Sequence, residues 1–497
     1  MEKDLIQKRR EFRTFKDFDY YDQSSKNSYN LMPFNFFRLN EKREVLINEI
    51  GDFILAPAGS FEKIVSKKLS KENDAELYAD LISNFFISEE IYSPNIDIIA
   101  NRYRTKKMFL ESFTGLHIFV ISLRCEHTCS YCQVSRVTQN KDKFDMNISH
   151  IDKGIDLMMK SPNPNLTMEF QGGEALLAID NIKYAIAKTK ELAPVYGKNI
   201  NYVICTNLAL IDEDILQYCK ENSILISASL DGPKSVHDKN RNKPHASSYD
   251  LAVKGIKLSR EIIGKENVSA LMTTTSHSLK YPIEIVDEYF NLDFNGIFLR
   301  NISPYGFALR TQKNKYETKE FLSFYKKALN RIIQLNKEGH HFTEDFSRIL
   351  LTKMLTPFNV GFVDMQSPAG LINGVIVFNY DGAVYATDES RMLAEEKDFS
   401  FKLGHLDENS YNDIFYGTKS QKISQIWANE TLAGCSDCAF QQYCGADPVH
   451  NWATQGDIYG YRPTSSFCEK NMEIIRYLFE LMDSDKEVKR IFENWIN

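Results

Sequence analysis

Between Leu116 and Asn301 strand-like and helix-like runs alternate in six successive units, a rhythm that few folds accommodate. The strand candidates are HIFVISL (117–123), LTMEF (166–170), NYVIC (201–205), ILISASL (224–230), VSALMT (268–273) and GIFLRN (296–301). Between them apolar residues fall at helical spacing, as at Ile148, Ile151, Ile155 and Met158, or Tyr249, Ala252, Val253 and Ile256. Successive βα units predict an α/β fold with a parallel sheet and crossover helices, closed as a barrel or open and doubly wound. In either form ligands collect at the carboxyl ends of the strands, so the motifs just after strand ends are the candidates for chemistry.

The flanks break this rhythm. NFFRLNEKREVLINEIGDFILAP reads as short strands with a turn at Gly51-Asp52, followed by helix-like SFEKIVSKKLS and DAELYADLISNFF. The expected organisation is a small α+β unit over 1–110, the β/α region over 111–315, a helical bridge over 316–365, and a loop-rich unit with a terminal helix over 366–497. A net charge of −7 argues against a nucleic-acid partner, because phosphate binding needs surplus Lys and Arg. No apolar run reaches the roughly 18 residues of a membrane span, and the start MEKDLIQKRREF lacks a signal-type apolar segment, so the expected location is the cytoplasm. Cysteines stay reduced there, which makes the nine present ligands or core residues rather than disulfides. Seven fall in two clusters; Cys205 and Cys219 stand apart and read as buried.

The first cluster, Cys125-Glu-His-Thr-Cys129-Ser-Tyr-Cys132, directly follows the first strand. Nine cysteines placed at random would give about 0.003 such triples. Three thiolates can hold three irons of a 4Fe-4S cluster and leave the fourth open to S-adenosylmethionine (SAM), whose reductive cleavage yields a 5′-deoxyadenosyl radical. The alternative is a zinc site completed by His127 or a distant residue.

At this motif the sequence resembles the radical SAM superfamily, which implies a partial β/α barrel and an oxidoreductase activity. The resemblance places Tyr131, before the third cysteine, near the adenine. After the second strand comes Gln171-Gly172-Gly173-Glu174, where glycines let backbone N–H groups approach a ligand and Glu174 can accept from an ammonium. This resembles the family's GGE motif, which binds the methionyl amino group. Thr206-Asn207 and Ser229-Leu-Asp231-Gly232-Pro233, with His237-Asp238 and Arg241, look like segments of radical SAM enzymes that modify peptides and proteins. By that likeness Ser229 contacts the SAM carboxylate or ribose and Arg241 supplies a charge partner for the carboxylate. The plainer reading of Asp231-Gly232-Pro233 is a tight turn.

The second cluster is Cys435, Cys438, Cys444 and Cys468, a closed set for which spacing leaves zinc and iron–sulfur both open. It resembles the SPASM extension of radical SAM peptide maturases. Three ligand positions of that pattern hold Ser367, Thr387 and Pro448 instead, so the resemblance implies one auxiliary 4Fe-4S cluster on the four cysteines. Asp388 stands where sulfatase-maturing relatives place a proton-accepting acid. ATDESRM, CGADPVHNWATQGDIYGYRPTSSFC and PFNFFRLN look most like the B-type maturase of His-Xaa-Ser peptide systems. That implies a ribosomally made precursor peptide as substrate, a second radical SAM maturase alongside, and an electron donor such as flavodoxin or ferredoxin. VLINEIGDF and the two helices resemble the winged-helix element that holds a precursor's leader, with the VLINEIGDF strand offering its edge. Two other readings stand beside this one: a maturase of a protein side chain, as sulfatase maturases are, and a zinc-stabilised binding protein without catalysis.

Overall fold

The computed structural model describes residues 29–90, 94–132, 140–305, 314–424 and 428–496; the segment MEKDLIQKRREF lies outside them. The chain divides into two units, Met1–Arg104 and Thr105–Asn497.

In the first unit β1 (Asn30–Leu31), β2 (Phe34–Arg38), β3 (Arg43–Asn48), β4 (Phe53–Pro57) and β5 (Ile87–Ser88) form two antiparallel sheets, β1-β5 and β2-β3-β4. Each hairpin is closed by an asparagine. Asn40 Oδ1 accepts from the N–H groups of Lys42 and Arg43, and Asn48 Oδ1 from those of Ile50 and Asp52. Leu46, Ile54, Ile64, Tyr78, Leu81 and Phe86 share one core. VLINEIGDF therefore runs through the central strand β3 and the following turn. This corrects the expectation that it is an edge: among the described residues the outer strands are β2 and β4. Glu44 is buried on β3, where its carboxylate accepts from Gly59 N–H at 2.9 Å, Phe61 N–H at 3.0 Å and Arg38 Nη2 at 2.9 Å. It thereby holds the start of helix Ser60–Val65 against the sheet.

The second unit is built on an eight-stranded sheet. Its strands are β6 (Leu116–Ser122), β7 (Asn165–Gly172), β8 (Asn199–Thr206), β9 (Ile224–Ser229), β10 (Val268–Leu271), β13 (Val375–Phe378), β14 (Ala383–Tyr385) and β15 (Lys402–His405). The order is β10-β9-β8-β7-β6-β13-β14-β15, parallel from β10 through β13 and antiparallel beyond. The alternation in the sequence thus becomes the α/β architecture of a mostly parallel sheet with crossover helices. Helix Ile148–Met159 is capped by the Asn147 side chain and buries Ile151, Ile155 and Met158 of the stripe its spacing predicts, while Ile148, at the first turn, is exposed. It rides close to β6, since a Cβ on Gly154 would lie 2.8 Å from the Phe119 ring.

Two features differ from the sequence expectation. Of GIFLRN, Gly296–Ile297 alone forms a strand, β11, which pairs with β12 (Thr343–Glu344) outside the main sheet. Buried Glu344 explains the change, because it takes the N–H of Leu299 that a longer strand would give to a neighbour. The other is β13: it pairs in parallel with β6, so a strand from the cysteine-rich stretch after residue 370 completes the sheet beside the first βα unit.

Replacing Glu44 with alanine leaves two part-buried N–H groups without their acceptor, at a cost of about 1 kcal/mol each. The expected outcome is faster hydrogen exchange across residues 43–65 of the full chain. Unchanged exchange there would show that Glu44 does not secure the helix.

Candidate active site at the carboxyl ends of the strands

The segment after β6 is fixed by what lies beside it. A Cβ on Gly172 would fall 1.9 Å from the Ser122 carbonyl oxygen, and one on Gly173 2.4 Å from that of Arg124. Gly173 N–H donates to Ser122 O and Glu174 N–H to Arg124 O, both at 2.8 Å. These two amides, expected to be open to a ligand, are therefore taken up by the cysteine loop, and the glycines permit one chain segment to approach another. Glu174 is buried; its carboxylate accepts from Thr206 Oγ1 at 2.6 Å, Asn207 N–H at 2.8 Å and Leu176 N–H at 3.0 Å. Burial, helped by the nearby charge of Glu126, raises it to about 7. Arg124, which no sequence pattern marked, forms a two-point ion pair with Asp145 at 2.7 and 2.6 Å and anchors the loop from the other side.

Within the loop, Thr128 N–H donates to Asn242 O at 2.7 Å, Ser130 N–H to Asn240 O at 2.9 Å, and Cys132 N–H to Cys129 O at 3.3 Å. Burial pushes the Cys125 thiol up and the Cys129 thiol up to about 12. Thiols of this kind on a fixed loop suit a cationic metal cluster, which deprotonates its ligands on binding.

The strongest polar centre near the loop is Asp231, in the Asp231-Gly232-Pro233 segment. Asp231, fully buried after β9, accepts from Tyr131 Oη at 2.9 Å, Arg241 Nε at 3.0 Å and Thr273 N–H at 3.2 Å, and its own N–H donates to His237 Nδ1 at 3.2 Å. The Arg241 guanidinium lies 5.3 Å from the centre of the Tyr131 ring. The charge partner of Arg241 in this structure is thus Asp231. Ser229 sits half-buried at the end of β9, opposite Leu271 of β10.

Because side chains alternate along a strand, Leu166, Met168 and Phe170 of β7 are buried, while Glu169 and Gln171 share the opposite face. Gln171 Nε2 donates to Glu169 Oε1, and the Cys205 thiol lies between Glu169 and Ser227. Asp388 opens helix Asp388–Ala394, which Thr387 caps by accepting from Ser390 N–H, and itself accepts from Arg391 Nε at 3.0 Å. Its charge reaches Glu169 and Cys205 on one side and Asp364 and Glu389 on the other.

Beyond the ends of β10 and β11 opens a cavity of about 680 Å³ lined by Arg300, Tyr305, Asp364, Glu389, Asp447 and Lys470 together with aromatic rings. Glu389 and Asp447 lie in the ATDESRM and CGADPVH segments, whereas Asp364 and Lys470 fall in no motif. Burial and mutual repulsion raise Asp364 to about 6 and Glu389 to about 8.

The second cysteine set is also brought together. Cys435, Cys438 and Cys444 lie in one run of tight turns, and Cys468 stands in the first turn of helix Ser466–Ser484. Burial and then the other three thiols push Cys468 up to about 12. Buried Lys353 donates to Cys444 O at 2.9 Å. Ser367, Thr387 and Pro448, which stand where ligands were expected, have other tasks: Ser367 Oγ accepts from Asn429 N–H, Thr387 caps a helix, and Pro448 begins one.

Residues 119–288 match the radical SAM superfamily. They form a radical SAM domain, and the chain is an enzyme built on that domain, whose class uses a 4Fe-4S cluster and SAM. The reading as a non-catalytic zinc protein is thereby set aside. The chain is 24% identical over 372 residues to the cysteine-type anaerobic sulfatase-maturating enzyme of Clostridium novyi (strain NT), covering 72% of this chain and 95% of that protein. It is 27% identical over 206 residues to the radical SAM cyclopropyl synthase TigE of Paramaledivibacter caminithermalis, covering 38% of this chain and 42% of that one. Its fold is similar to that of anSMEcpe with bound AdoMet (TM-score 0.61, 18% identity, 76% of this chain and 99% of that). It is also similar to Streptococcus suis SuiB bound to precursor peptide SuiA (TM-score 0.50, 15% identity, 89% of this chain and all of that). Among the described residues no helix is long and apolar enough to cross a membrane.

Asp231→Ala strands buried Arg241 and is expected to cost about 3–5 kcal/mol, read as a lower Tm; an unchanged Tm would dismiss Asp231 as the hub. A second expectation concerns pH. With Asp364 and Glu389 raised above ordinary carboxylates, the folded chain holds more protons than the unfolded one between about pH 4 and 8, so stability falls as pH rises through that window. Asp364→Asn should flatten the fall and raise Tm at pH 8; calorimetry giving parallel curves for variant and parent would contradict this.

Proposed function

We propose that the chain is a peptide maturase that cleaves SAM reductively and uses the radical to modify a ribosomally made precursor peptide. The supporting observation is the pairing of a radical SAM domain with a separate sheet-bearing N-terminal unit, in a fold similar over 89% of the chain to SuiB, a protein solved with its precursor peptide. In this reading Cys125, Cys129 and Cys132 hold the 4Fe-4S cluster. When bound, the cluster and SAM supply one electron and a radical able to take hydrogen from an unactivated carbon. Tyr131 and Arg241, locked by Asp231, form one wall of the SAM site. Gln171, Gly172, Gly173, Glu174 and Ser229 line its other side. Asp388 accepts a proton from the substrate, with Arg391 holding its carboxylate in position.

Cys435, Cys438, Cys444 and Cys468 hold one auxiliary 4Fe-4S cluster. The supporting observation is that all four thiols are electrostatic neighbours, as a closed four-ligand site requires. The outer edges of β2 and β4 offer a place for a leader peptide to add a strand. A flavodoxin or ferredoxin supplies the electron, and a second radical SAM maturase works on the same peptide. A second reading, maturation of a protein side chain, is favoured by the sulfatase-maturating relative that matches 72% of this chain.

Reduced, reconstituted protein is expected to release 5′-deoxyadenosine and to carry about eight irons per chain, two clusters. The triple variant Cys125→Ala/Cys129→Ala/Cys132→Ala should lose SAM cleavage entirely, and cleavage surviving in it would end the proposal. About twelve irons would mean that the auxiliary ligands are misassigned. Mass spectrometry of precursors encoded nearby separates the two readings, since modification of a sulfatase peptide alone would favour the second. Charged substitutions on the edges of β2 or β4 should weaken binding of labelled precursor while leaving uncoupled SAM cleavage nearly intact; unchanged binding would count against leader recognition.

A further inference from the structure

The cavity beyond β10 and β11 is unevenly charged and incompletely bonded. Three carboxylates, Asp364, Glu389 and Asp447, share it with two cations, Arg300 and Lys470. Asp447 is occupied as a helix cap, accepting from His450 N–H at 2.8 Å. Lys470 stays within the cavity but bonds to none of the carboxylates: its Nζ donates to Asn301 Oδ1 at 3.0 Å and lies 5.2 Å from the centre of the Phe346 ring, so it offsets Asp364 and Asp447 by charge alone. Arg300 Nη2 stops 3.7 Å from Glu389, beyond hydrogen-bond reach. Asp364 accepts no hydrogen bond from any described residue. A second observation points the same way. Tyr305 is 1% exposed, lines the cavity, has Asp447, Glu389 and Asp364 as its nearest negative charges, and its hydroxyl has no partner among the described residues. Buried polar groups are normally satisfied, and a shortfall of donors beside carboxylates marks a place for a guest that brings them.

We infer that this cavity is the recognition site for a positively charged side chain, ammonium, guanidinium or imidazolium, of the peptide that the enzyme modifies. Size and spacing favour an organic cation over a metal ion. The three carboxylates do not bring oxygens within 4.8 Å of one another, so no single ion can be held by all of them. The space, about 680 Å³, is that of a side chain with its flanking backbone rather than of one ion. The walls suit such a guest too, since Phe298, Phe346, Phe362 and Phe467 line the same cavity and Phe346 already faces the ammonium of Lys470. With Asp388 within charge reach of both Glu389 in the cavity and Glu169 on β7, a side chain anchored here would hold its neighbours in sequence toward the strand ends.

The inference rests on the peptide-modifying reading for the identity of the guest, but its test needs no turnover. Binding of N-acetyl-lysine amide, N-acetyl-arginine amide and N-acetyl-histidine amide to the full chain is measured by ligand-observed NMR without SAM. N-acetyl-norleucine amide and N-acetyl-glutamate amide serve as controls. At least one basic amide should bind, the controls should not, and Asp364→Asn/Glu389→Gln should weaken binding about tenfold or more. Tyr305→Phe, which removes no charge and little volume, should weaken it by about twofold to fivefold, and it decides the matter if the double variant does not fold. Equal binding of norleucine and basic amides, no binding of any basic amide, or full affinity in the variants would overturn the inference. Each result leaves SAM cleavage, and so the maturase reading, to be judged separately.

Discussion

The organisation of the catalytic end depends on one close approach, where the Gly172-Gly173 turn at the end of β7 lies against the backbone that leaves β6. No side chain fits between them, and the two amide bonds that cross the gap fix where the cysteine loop begins. A loop that must present thiols in one arrangement cannot rely on its own residues, because a short irregular segment has few internal bonds. Here it borrows rigidity from a strand end, from the Arg124–Asp145 ion pair, and from the carbonyls of Asn240 and Asn242 across the sheet. Each anchor comes from a different βα unit, so the loop is positioned by the sheet as a whole.

Buried charge has a similar role on the far side of the loop. Asp231 and Arg241 contribute little net stability as a pair, since desolvation offsets most of their attraction. What they supply is definition, because three donors converge on one carboxylate and leave Tyr131 a single satisfied orientation. The cavity beyond β10 shows the opposite balance. There carboxylates are gathered without enough donors, and burial lifts Asp364 and Glu389 instead of pairing them. One polar group is finished within the chain and the other is not, a difference that separates scaffold from recognition surface.

The parallel sheet was legible because strand and helix periods alternate in the sequence, and five of the six predicted strands lie where those periods put them. The two cysteine groupings were legible from spacing, and within each the thiols feel one another's charge. What stayed hidden depends on partners distant in sequence. Glu344 shortens β11 from a helix start well downstream, and VLINEIGDF becomes a central strand because hydrophobic β2 and β4 flank it on both sides. Asp231 could be read as a turn residue, but its three donors arrive from Tyr131, Arg241 and Thr273, and no local pattern joins these. Glu389 was overlooked beside Asp388, although the chain folds it into the cavity while Asp388 is held by Arg391.

The parallel pairing of β13 with β6 bears on how the molecule comes into being. The strand that precedes the cysteine loop has β7 on one side as soon as the first two βα units exist, yet its other edge waits for Val375–Phe378, about three quarters of the way along the chain. Until then a buried strand next to three reactive thiols has an open flank, the condition under which nascent chains mispair and sulfurs oxidise. Such a long-range closure is slow, because the entropy of a large loop must be lost before the contact forms. The edge beside the first cysteine loop is thus closed by chain that lies about 250 residues downstream, and the second cysteine set lies farther along still.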